Sequence, residues 1–508
     1  MTLYESRDTT IRGAYWQYIS SVLLVIVGGL FYIFIIHFYS TEIVGVFSLL
    51  SAIVFLFSTA FNLGLQQGIQ HFISYHLGRG EDGKIRALVR KFTMVGLLLS
   101  STAFVSLWLL SPSLSIFFFH TYAFLDYLKL IDVELFSIIM VSILLSMLLG
   151  LQSFRLNGIM NLIKFSVGYG LIIPLLLLND NPIRIIYSWI TGYYLTMLLL
   201  LLIVHRRLGK SSNDDREKVE IGPVFAYSIP IFISTIVGYG ATYVDRFIVS
   251  FLVNLSELGI YNFALLITNS LGILTLPFTS ILLSRLSEFY GRDDRENFRL
   301  YSLKGSEVLT AIYMPIALLA AALSPSIILF LAKESYIAGS VPITIILIVS
   351  SLTVSVNIFA VTLQAIRKTR LFVISSSLGL LANFVISIVL IPRFGIDGAA
   401  VGYASTSIVT FLVILYYSRK HGTFILERMR MLKIFISGFL MFFLMIVVQD
   451  RLGYSILKLF VYIVTGLAVY LFFIRVFNTF DERDIDLFLG MVPDNYARVK
   501  RFIRSLFV

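Results

Sequence analysis

Asp245 and Arg246 stand side by side in the segment YVDRFIVSF, inside a run from Gly222 to Leu255 that is otherwise uncharged. Arginine offers a planar fork of N–H donors suited to bidentate contact with an anion. An ionisable group inside a long apolar run needs a polar partner or a water-filled cavity, and by default it marks a functional site. Counted back from the end of the run near Asn254, Arg246 lies about 12 Å deep at 1.5 Å per residue. Adjacent residues on a helix point about 100° apart, so the two need not pair with each other. The competing reading is an ion pair to a neighbouring helix that only fixes packing.

Lys164 is the other cation within an apolar run. It follows Arg155 by about two helical turns, so it either faces a cavity or reaches back along its stem to the membrane surface. Gln66 and Gln70 share a helical face with Ser74 at the end of a second run, where they could meet hydroxyl groups or form a solvated helix end. Asn357, Gln364 and Asn383 are placed either to line a cavity or to hydrogen-bond neighbouring helices. Aromatic residues make up 15% of the chain; interfacial belts and lipid-facing surfaces account for most of them, although rings can also stack on sugars. Pro174, Pro230, Pro277 and Pro315 fall inside apolar runs, where a lost N–H and a ring clash bend a helix, so they are hinge candidates or static kinks.

The elements that must position these groups follow from composition. Of 508 residues, 58% are hydrophobic and 14% charged, and the mean hydropathy is +0.90. An ordinary soluble domain carries about a quarter charged residues. Apolar runs of helix-spanning length recur, which predicts fourteen spans: 14–37, 43–65, 92–112, 133–152, 158–178, 183–204, 223–252, 260–283, 306–330, 342–363, 371–391, 398–417, 433–449 and 456–475. A β-barrel would show short alternating segments instead. The first span is too long for a signal peptide and no small-residue cleavage site follows it, so it reads as retained. Cysteine is absent, which excludes disulfides, thiolate metal sites and cysteine nucleophiles.

The 40 Lys and Arg set the orientation. The even-numbered connections and both termini hold 32, the odd-numbered connections 6, and Lys164 and Arg246 the remainder. This bias predicts a multi-pass protein of the cell membrane with both termini in the cytoplasm. The net charge of +11 is mostly that signature, with attraction to anionic membrane lipids secondary and no need to invoke nucleic acid.

The sequence also repeats itself. EIVGVFSL (Glu42 to Leu49) aligns with SELGIYNF (Ser256 to Phe263) at an offset of 214, setting Gly45 against Gly259. LGRGED at Leu77 matches YGRDD at Tyr290 at 213, LQSFR at Leu151 matches LQAIR at Leu363 at 212, and HRR at His205 matches SRK at Ser418 at 213. Four ordered matches predict a duplicated six-helix unit. The expected organisation is a lobe over 1–210, a cytoplasmic linker at 211–221, a second lobe over 222–420, two further spans over 421–476 and a tail at 477–508. Six is even, so the lobes are parallel repeats with a cleft between them; in transporters such a cleft holds substrate while the lobes rock. A tightly packed, inert interface is the alternative. At the repeat offset Asp245 and Arg246 correspond to Phe31 and Tyr32, so the lobes are chemically unequal.

The segment Asp245-Arg246-Phe-Ile-Val, followed by Ser256-Glu-Leu-Gly-Ile-Tyr-Asn-Phe-Ala and a basic loop, resembles the Wzx-type polysaccharide transporters, the flippases of lipid-linked oligosaccharides. So does Ile391-Pro-Arg-Phe-Gly-Ile-Asp-Gly-Ala-Ala-Val-Gly-Tyr-Ala, a turn leading into a small-residue helix. The resemblance covers most of residues 10–475. It implies the multidrug/oligosaccharidyl-lipid/polysaccharide exporter superfamily: an all-α polytopic membrane protein of about fourteen helices, two parallel six-helix lobes plus two C-terminal helices, similar to the multidrug and toxin extruders.

What the resemblance implies is translocation of a polyprenyl-diphosphate-linked oligosaccharide by alternating access, alongside glycan polymerase or glycosyltransferase machinery. A sugar chain and its diphosphate cannot cross hydrocarbon unaided, so the path must be hydrated and cationic. No cofactor is expected; sodium, protons or the membrane potential could drive the cycle, at about 2.3 kcal/mol per charge per 100 mV. A multidrug extruder is the runner-up, but its cationic substrates would favour a negative cavity. The intramembrane groups counted from sequence, Asp245, Arg246 and Lys164, are net positive by one. A membrane enzyme of polysaccharide assembly is the third reading, disfavoured by the lack of a large loop carrying acids, bases or metal ligands: Ser113 to Asp132 offers only His120, Asp126, Lys129 and Asp132.

Four motifs have simpler explanations. Gly78 to Ile85 nearly spells a P-loop, yet Ile85 replaces the magnesium-holding Ser/Thr and no strand precedes it, so ATP use is unsupported. Asn254-Leu-Ser256 is a glycosylation sequon, expected to stay unmodified so close to the membrane. Gly398 to Gly402 is a small-residue contact face. The tail from Tyr496 to Val508 reads as an interfacial amphipathic helix. The topology makes a direct prediction. Tags at Asn254, Lys333 and Arg451 should be reachable from outside the cell and tags at Gly80, Ser212, Asp293 and the C-terminus only from inside. A single reversed tag would undo the two-lobe assignment.

Overall fold

The computed structural model describes residues 26–172, 181–208, 219–366, 370–422 and 427–480, together with 23, 174 and 368. The expected amphipathic tail and most of the 211–221 linker lie outside the described residues. The helices are α1 (Ile26–Phe38), α2 (Thr41–Asn62), α3 (Leu65–Gly78), α4 (Asp82–Phe119), α5 (Leu125–Gly150), α6 (Phe154–Gly170), α7 (Arg184–Leu208), α8 (Gly222–Leu252) and α9 (Leu255–Ser270). They continue with α10 (Leu276–Gly291), α11 (Arg295–Ala322), α12 (Ser324–Leu331), α13 (Ser340–Thr353), α14 (Val356–Ala365), α15 (Arg370–Lys420), α16 (Arg428–Leu452) and α17 (Ile456–Val476). No strand occurs among the described residues.

Among the described residues ten helical stretches are long and apolar enough to cross a membrane, nine of them helices named above and the tenth Glu334–Thr353, in which a 3-10 turn runs into α13. One of them, α15, holds two of the expected spans. Its 51 residues would measure about 77 Å if straight, far more than the roughly 30 Å of hydrocarbon. The chain reverses instead at Gly395, whose φ of 54° and ψ of −132° suit a residue without Cβ. The two arms then lie together: Thr406 donates to the Gly379 carbonyl at 3.4 Å, and Gly402 packs on Asn383 and Ser387. Other predicted spans are interrupted. The run 43–65 ends where Leu63 and Gly64 take positive φ, and the run 260–283 is broken by a 3-10 turn at Leu271–Leu274. The Asn254 side chain of the sequon accepts from Glu257 N at 2.8 Å at the start of α9, as a helix N-cap does.

The chain divides into two compact units, Met1–Gly259 and Ile260–Val508. Although α8 begins the second sequence repeat, it belongs to the first unit, where its residues Ser228 and Phe232 press on Gly64 and Gly68. In the same unit the repeat-equivalent Gly45 and Gly259 meet. A Cβ on Gly45 would lie 1.8 Å from the Leu255 carbonyl oxygen, and one on Gly259 would lie 2.0 Å from that of Thr41. The hydroxyls of Thr41 and Ser256 hydrogen-bond at 2.5 Å beside this crossing. Between apolar helices in lipid, close backbone contact and small polar bonds replace the hydrophobic drive that water supplies elsewhere.

In the second unit the appended helices dock on α11. Gly438 of α16 faces Met314, Gly466 of α17 faces Leu319, and the Tyr470 hydroxyl donates to the Ala311 carbonyl at 3.0 Å. Glu307, fully buried on α11, accepts from Arg430 at 2.9 Å and Lys304 at 3.2 Å. Removing one partner of such a group leaves an uncompensated buried charge.

The glycine crossing carries a stability prediction. Gly45→Ala or Gly259→Ala should lower the thermal midpoint of the purified protein, at a cost of at least about 1–3 kcal/mol for overpacking. Gly29→Ala, where a Cβ meets nothing within 4 Å, should melt like the wild type. Equal melting of all three variants would mean that the crossing is not tight.

Candidate functional site: a polar cavity within the first unit

A second glycine pair builds the site. A Cβ on Gly192 of α7 would fall 2.5 Å from the Lys164 carbonyl oxygen and 2.7 Å from the Gly168 Cα, so α6 and α7 touch backbone to backbone. Ser188 fastens the crossing by donating to the Gly168 carbonyl at 2.5 Å. The contact holds Lys164 beside Tyr193: the ammonium lies 5.2 Å from that ring and 4.4 Å from the ring of Phe165. Such placement over aromatic faces compensates part of a cation's lost hydration.

Below Lys164 on the same face of α6 stand Asn161 and Asn157, at helical spacing. Lys164 donates to Asn161 Oδ1 at 3.1 Å, Asn161 donates to Asn157 Oδ1 at 3.1 Å, and Asn157 donates to the Leu145 carbonyl of α5 at 3.2 Å. On the opposite side Asn62 of α2 accepts from Ser142 of α5 at 3.0 Å. The break at Leu63 and Gly64 turns the chain so that α3 presents Gln66, Gln67 and Gln70 to the same space. These groups surround a cavity of about 490 Å³, closed on another side by Phe232 and Thr235 of α8.

A second cavity of about 280 Å³ shares the wall formed by Phe55, Ile138, Lys164 and Tyr193. It is aromatic, with Tyr169 and Trp189, and it contains the carboxylate of Glu134. Phe31 stacks on Tyr169 at 4.1 Å between ring centres and lies 6.2 Å from Trp189. Phe31 is the repeat counterpart of Asp245, so the first repeat has an aromatic contact where the second has an acid.

The residues singled out from sequence are placed as follows. Lys164, Gln66 and Gln70 come together on the larger cavity. Asp245 and Arg246 of α8 are buried, with the guanidinium carbon 4.3 Å over Tyr243, and they line neither of these two cavities. Tyr243 connects them to the cavity wall, since its ring lies 6.3 Å from that of Phe55. Asn357, Gln364 and Asn383 belong to the second unit. Asn357 donates to the Val354 carbonyl at 3.1 Å, Gln364 is exposed, and Asn383 is buried and accepts from Ser387 at 2.9 Å. Pro230 and Pro315 lie inside α8 and α11, Pro277 stands in the first turn of α10, and Pro174 is exposed at the edge of a described segment.

Sequence reading missed Glu134, and with it the charge tally changes. Glu134 falls at the edge of the predicted span 133–152, where an acid ordinarily marks a helix end. The helix begins at Leu125, so Glu134 lies about 13 Å along it at 1.5 Å per residue. Asp132, assigned from sequence to a loop, is likewise buried on α5 and accepts from Ser111 at 3.2 Å. Besides Asp245, which the tally includes, Glu307 is a third buried carboxylate that it left out, so the count of one net positive charge within the spans does not stand. In the two cavities of the first unit Lys164 and Glu134 balance. No group of three or more metal-ligating side chains occurs among the described residues.

The structure of the lipid II flippase MurJ in an inward closed conformation matches with a TM-score of 0.73 at 18% identity, over 91% of this chain and 98% of that one. The inward-facing conformation of a multidrug resistance MATE family transporter matches at 0.62 and 13% identity, over 78% and 94%. A superfamily transporter from Pyrococcus furiosus matches at 0.56 and 13%, over 81% and 94%. At these identities the likeness is one of fold. A model of the polysaccharide biosynthesis protein family matches residues 49–341, more than half of the sequence, and the chain belongs to that family. Comparison with curated proteins yields no match. The fold is shared with solved structures of a flippase and of multidrug transporters, and the long apolar helices make the chain a multi-pass membrane protein.

If the larger cavity is hydrated, single cysteines in this cysteine-free chain will report it. A water-soluble thiol reagent attacks thiolates, which form in water and not in lipid. Gln70→Cys and Asn161→Cys should label readily. Ile139→Cys, fully buried, and Leu98→Cys, on an exposed apolar face of α4, should not. Labelling of the first pair as slow as the second would mean a dry cavity.

Proposed function

We propose that the protein is a flippase that moves a polyprenyl-diphosphate-linked oligosaccharide across the membrane by alternating access. The observation that carries the reading is the cavity of about 490 Å³ lined by amides and one ammonium, inside a chain of the polysaccharide biosynthesis protein family. Amide side chains both donate and accept, as sugar hydroxyls require, and burying them is costly unless something polar meets them. The fold shared with the lipid II flippase MurJ supports a lipid-linked substrate. Lys164 meets the saccharide or its phosphates, and Arg246, stacked on Tyr243 next to the cavity wall, offers a fork for the diphosphate. Transport draws on an ion gradient or on the membrane potential rather than on ATP.

A second reading has one observation in its favour. Glu134 among aromatic rings resembles a site for an organic cation, as a multidrug exporter would need, but Lys164 on the same wall repels such a ligand.

Flipping of a fluorescent lipid-linked oligosaccharide in proteoliposomes, measured beside thermal melting, tests the proposal. Arg246→Ala and Lys164→Met should each slow flipping by at least tenfold while melting stays near wild type, and Arg246→Lys should recover part of the rate. Poor folding of Asp245→Asn and of Arg246→Gln singly, together with wild-type flipping by the double variant, would assign that pair to packing alone. Export of a cationic dye without any flipping would favour the second reading.

A further inference from the structure

The smaller cavity has a composition that lipid transport as such does not require. Glu134 is only 6% exposed, and its carboxylate takes no hydrogen bond or ion pair from the described residues. It does not pair with Lys164, although both line the same space. Trp189 Nε1 is also buried without an acceptor among the described residues. Around these stand the rings of Tyr169, Tyr193 and Phe165. One acceptor of high capacity, one cationic donor and one indole donor thus converge among apolar faces.

A buried carboxylate without a donor is costly, and a half-buried ammonium held by a single amide has donors to spare. An organic cation would satisfy Glu134 and meet repulsion from Lys164; an anion would do the reverse. An uncharged polyhydroxylated ring satisfies both. Its hydroxyls donate to Glu134 and accept from Lys164 and Trp189, while its C–H face covers an aromatic ring. Size agrees as well: about 280 Å³ lies at the small end of ligand pockets, roughly 300–1,000 Å³, and suits one ring rather than a chain. The shared wall at Phe55, Ile138, Lys164 and Tyr193 lets such a ring continue into the larger polar cavity.

We propose that the Glu134–Trp189 cavity is a subsite for a single uncharged pyranose ring of the transported saccharide, making it a determinant of sugar specificity. This rests on the flippase reading of the larger cavity and adds to it a site that grips one sugar unit. A pocket built to bond hydroxyl groups discriminates strongly against rings that lack them, because its own buried groups are then left unpaired.

Trp189 supplies the probe. The other tryptophans are Trp16 and Trp108, so in a Trp16→Phe, Trp108→Phe background its fluorescence reports this pocket alone. The purified double variant, first checked for wild-type flipping, is titrated with methyl glycosides of glucose, galactose, mannose and N-acetylglucosamine, with methyl glucuronide and with tetraphenylphosphonium. At least one neutral glycoside should give a saturable change. Glu134→Gln should weaken it at least tenfold, because an amide offers one acceptor where the carboxylate offers two, and Lys164→Met should weaken it too. The same glycoside, free in solution, should slow flipping in the Trp189-only protein. No saturable change with any neutral glycoside, or a change that both variants leave intact, overturns the subsite, as does saturation by tetraphenylphosphonium or glucuronide alone. Because the titration of the Trp189-only protein, already checked for flipping, does not depend on Glu134→Gln, poor folding of that variant leaves the test decisive. Flipping without a sugar response removes the subsite and leaves the flippase reading standing, whereas loss of flipping activity in the unmutated protein removes that reading itself.

Discussion

Hydrocarbon offers no hydrogen bonds, so every polar or charged group placed within it must be satisfied by the protein or by water the protein admits. Most of this structure can be traced to that constraint. Backbone groups are satisfied within helices. Buried serines and threonines donate to carbonyls of their own helices, as Ser100 does to Gly96 and Thr310 to Ser306. Glu307 is paired through one oxygen with two cations, from α11 and α16. Glu134 and the Trp189 indole, without partners among the described residues, stand with Lys164 and a ladder of hydrogen-bonded amides around two adjoining cavities.

The second constraint is how helices come together when water does not drive them. Here glycine does so at two crossings with the same logic. At Gly45 and Gly259 equivalent points of the two sequence repeats meet, and at Gly168 and Gly192 neighbouring helices of one repeat meet. In each case a hydroxyl seals the contact, Thr41 with Ser256 and Ser188 with the Gly168 carbonyl. Only the second crossing bears on chemistry, because Lys164 lies one turn from it and is thereby set over Tyr193. Structural and functional glycines are therefore distinguished by what stands next to them.

Duplication did not preserve chemistry. Asp245 and Arg246 in one repeat correspond to Phe31 and Tyr32 in the other; Phe31 packs on Tyr169 at the smaller cavity, whereas Arg246 lies over Tyr243 beside the wall of the larger. Both copies thus support the same unit with different tools, one aromatic and one cationic.

The sequence alone determined what depends on local properties. Hydropathy and its period define apolar runs wherever they lie, so the spans, their all-helical nature and the repeat were legible, as were Lys164 and Arg246, because a cation in an apolar run stands out by itself. The interruptions of those runs were less legible: the reversal at Gly395 was visible as a proline- and glycine-marked turn, while the breaks at Leu63 and at Leu271 were not. Which polar residues converge was decided only in three dimensions. Gln66, Gln70 and Lys164 lie far apart in the chain and meet because α3 turns after Gly64 and α6 crosses α7 at a glycine pair, whereas Asn357 and Asn383, of the same residue types, lie in the second unit on local bonds. Glu134 escaped notice because an acid near a span boundary looks solvated until the helix is seen to begin more than two turns earlier. Burial of a charge is a property of all the helices around it, and no window of sequence contains that information.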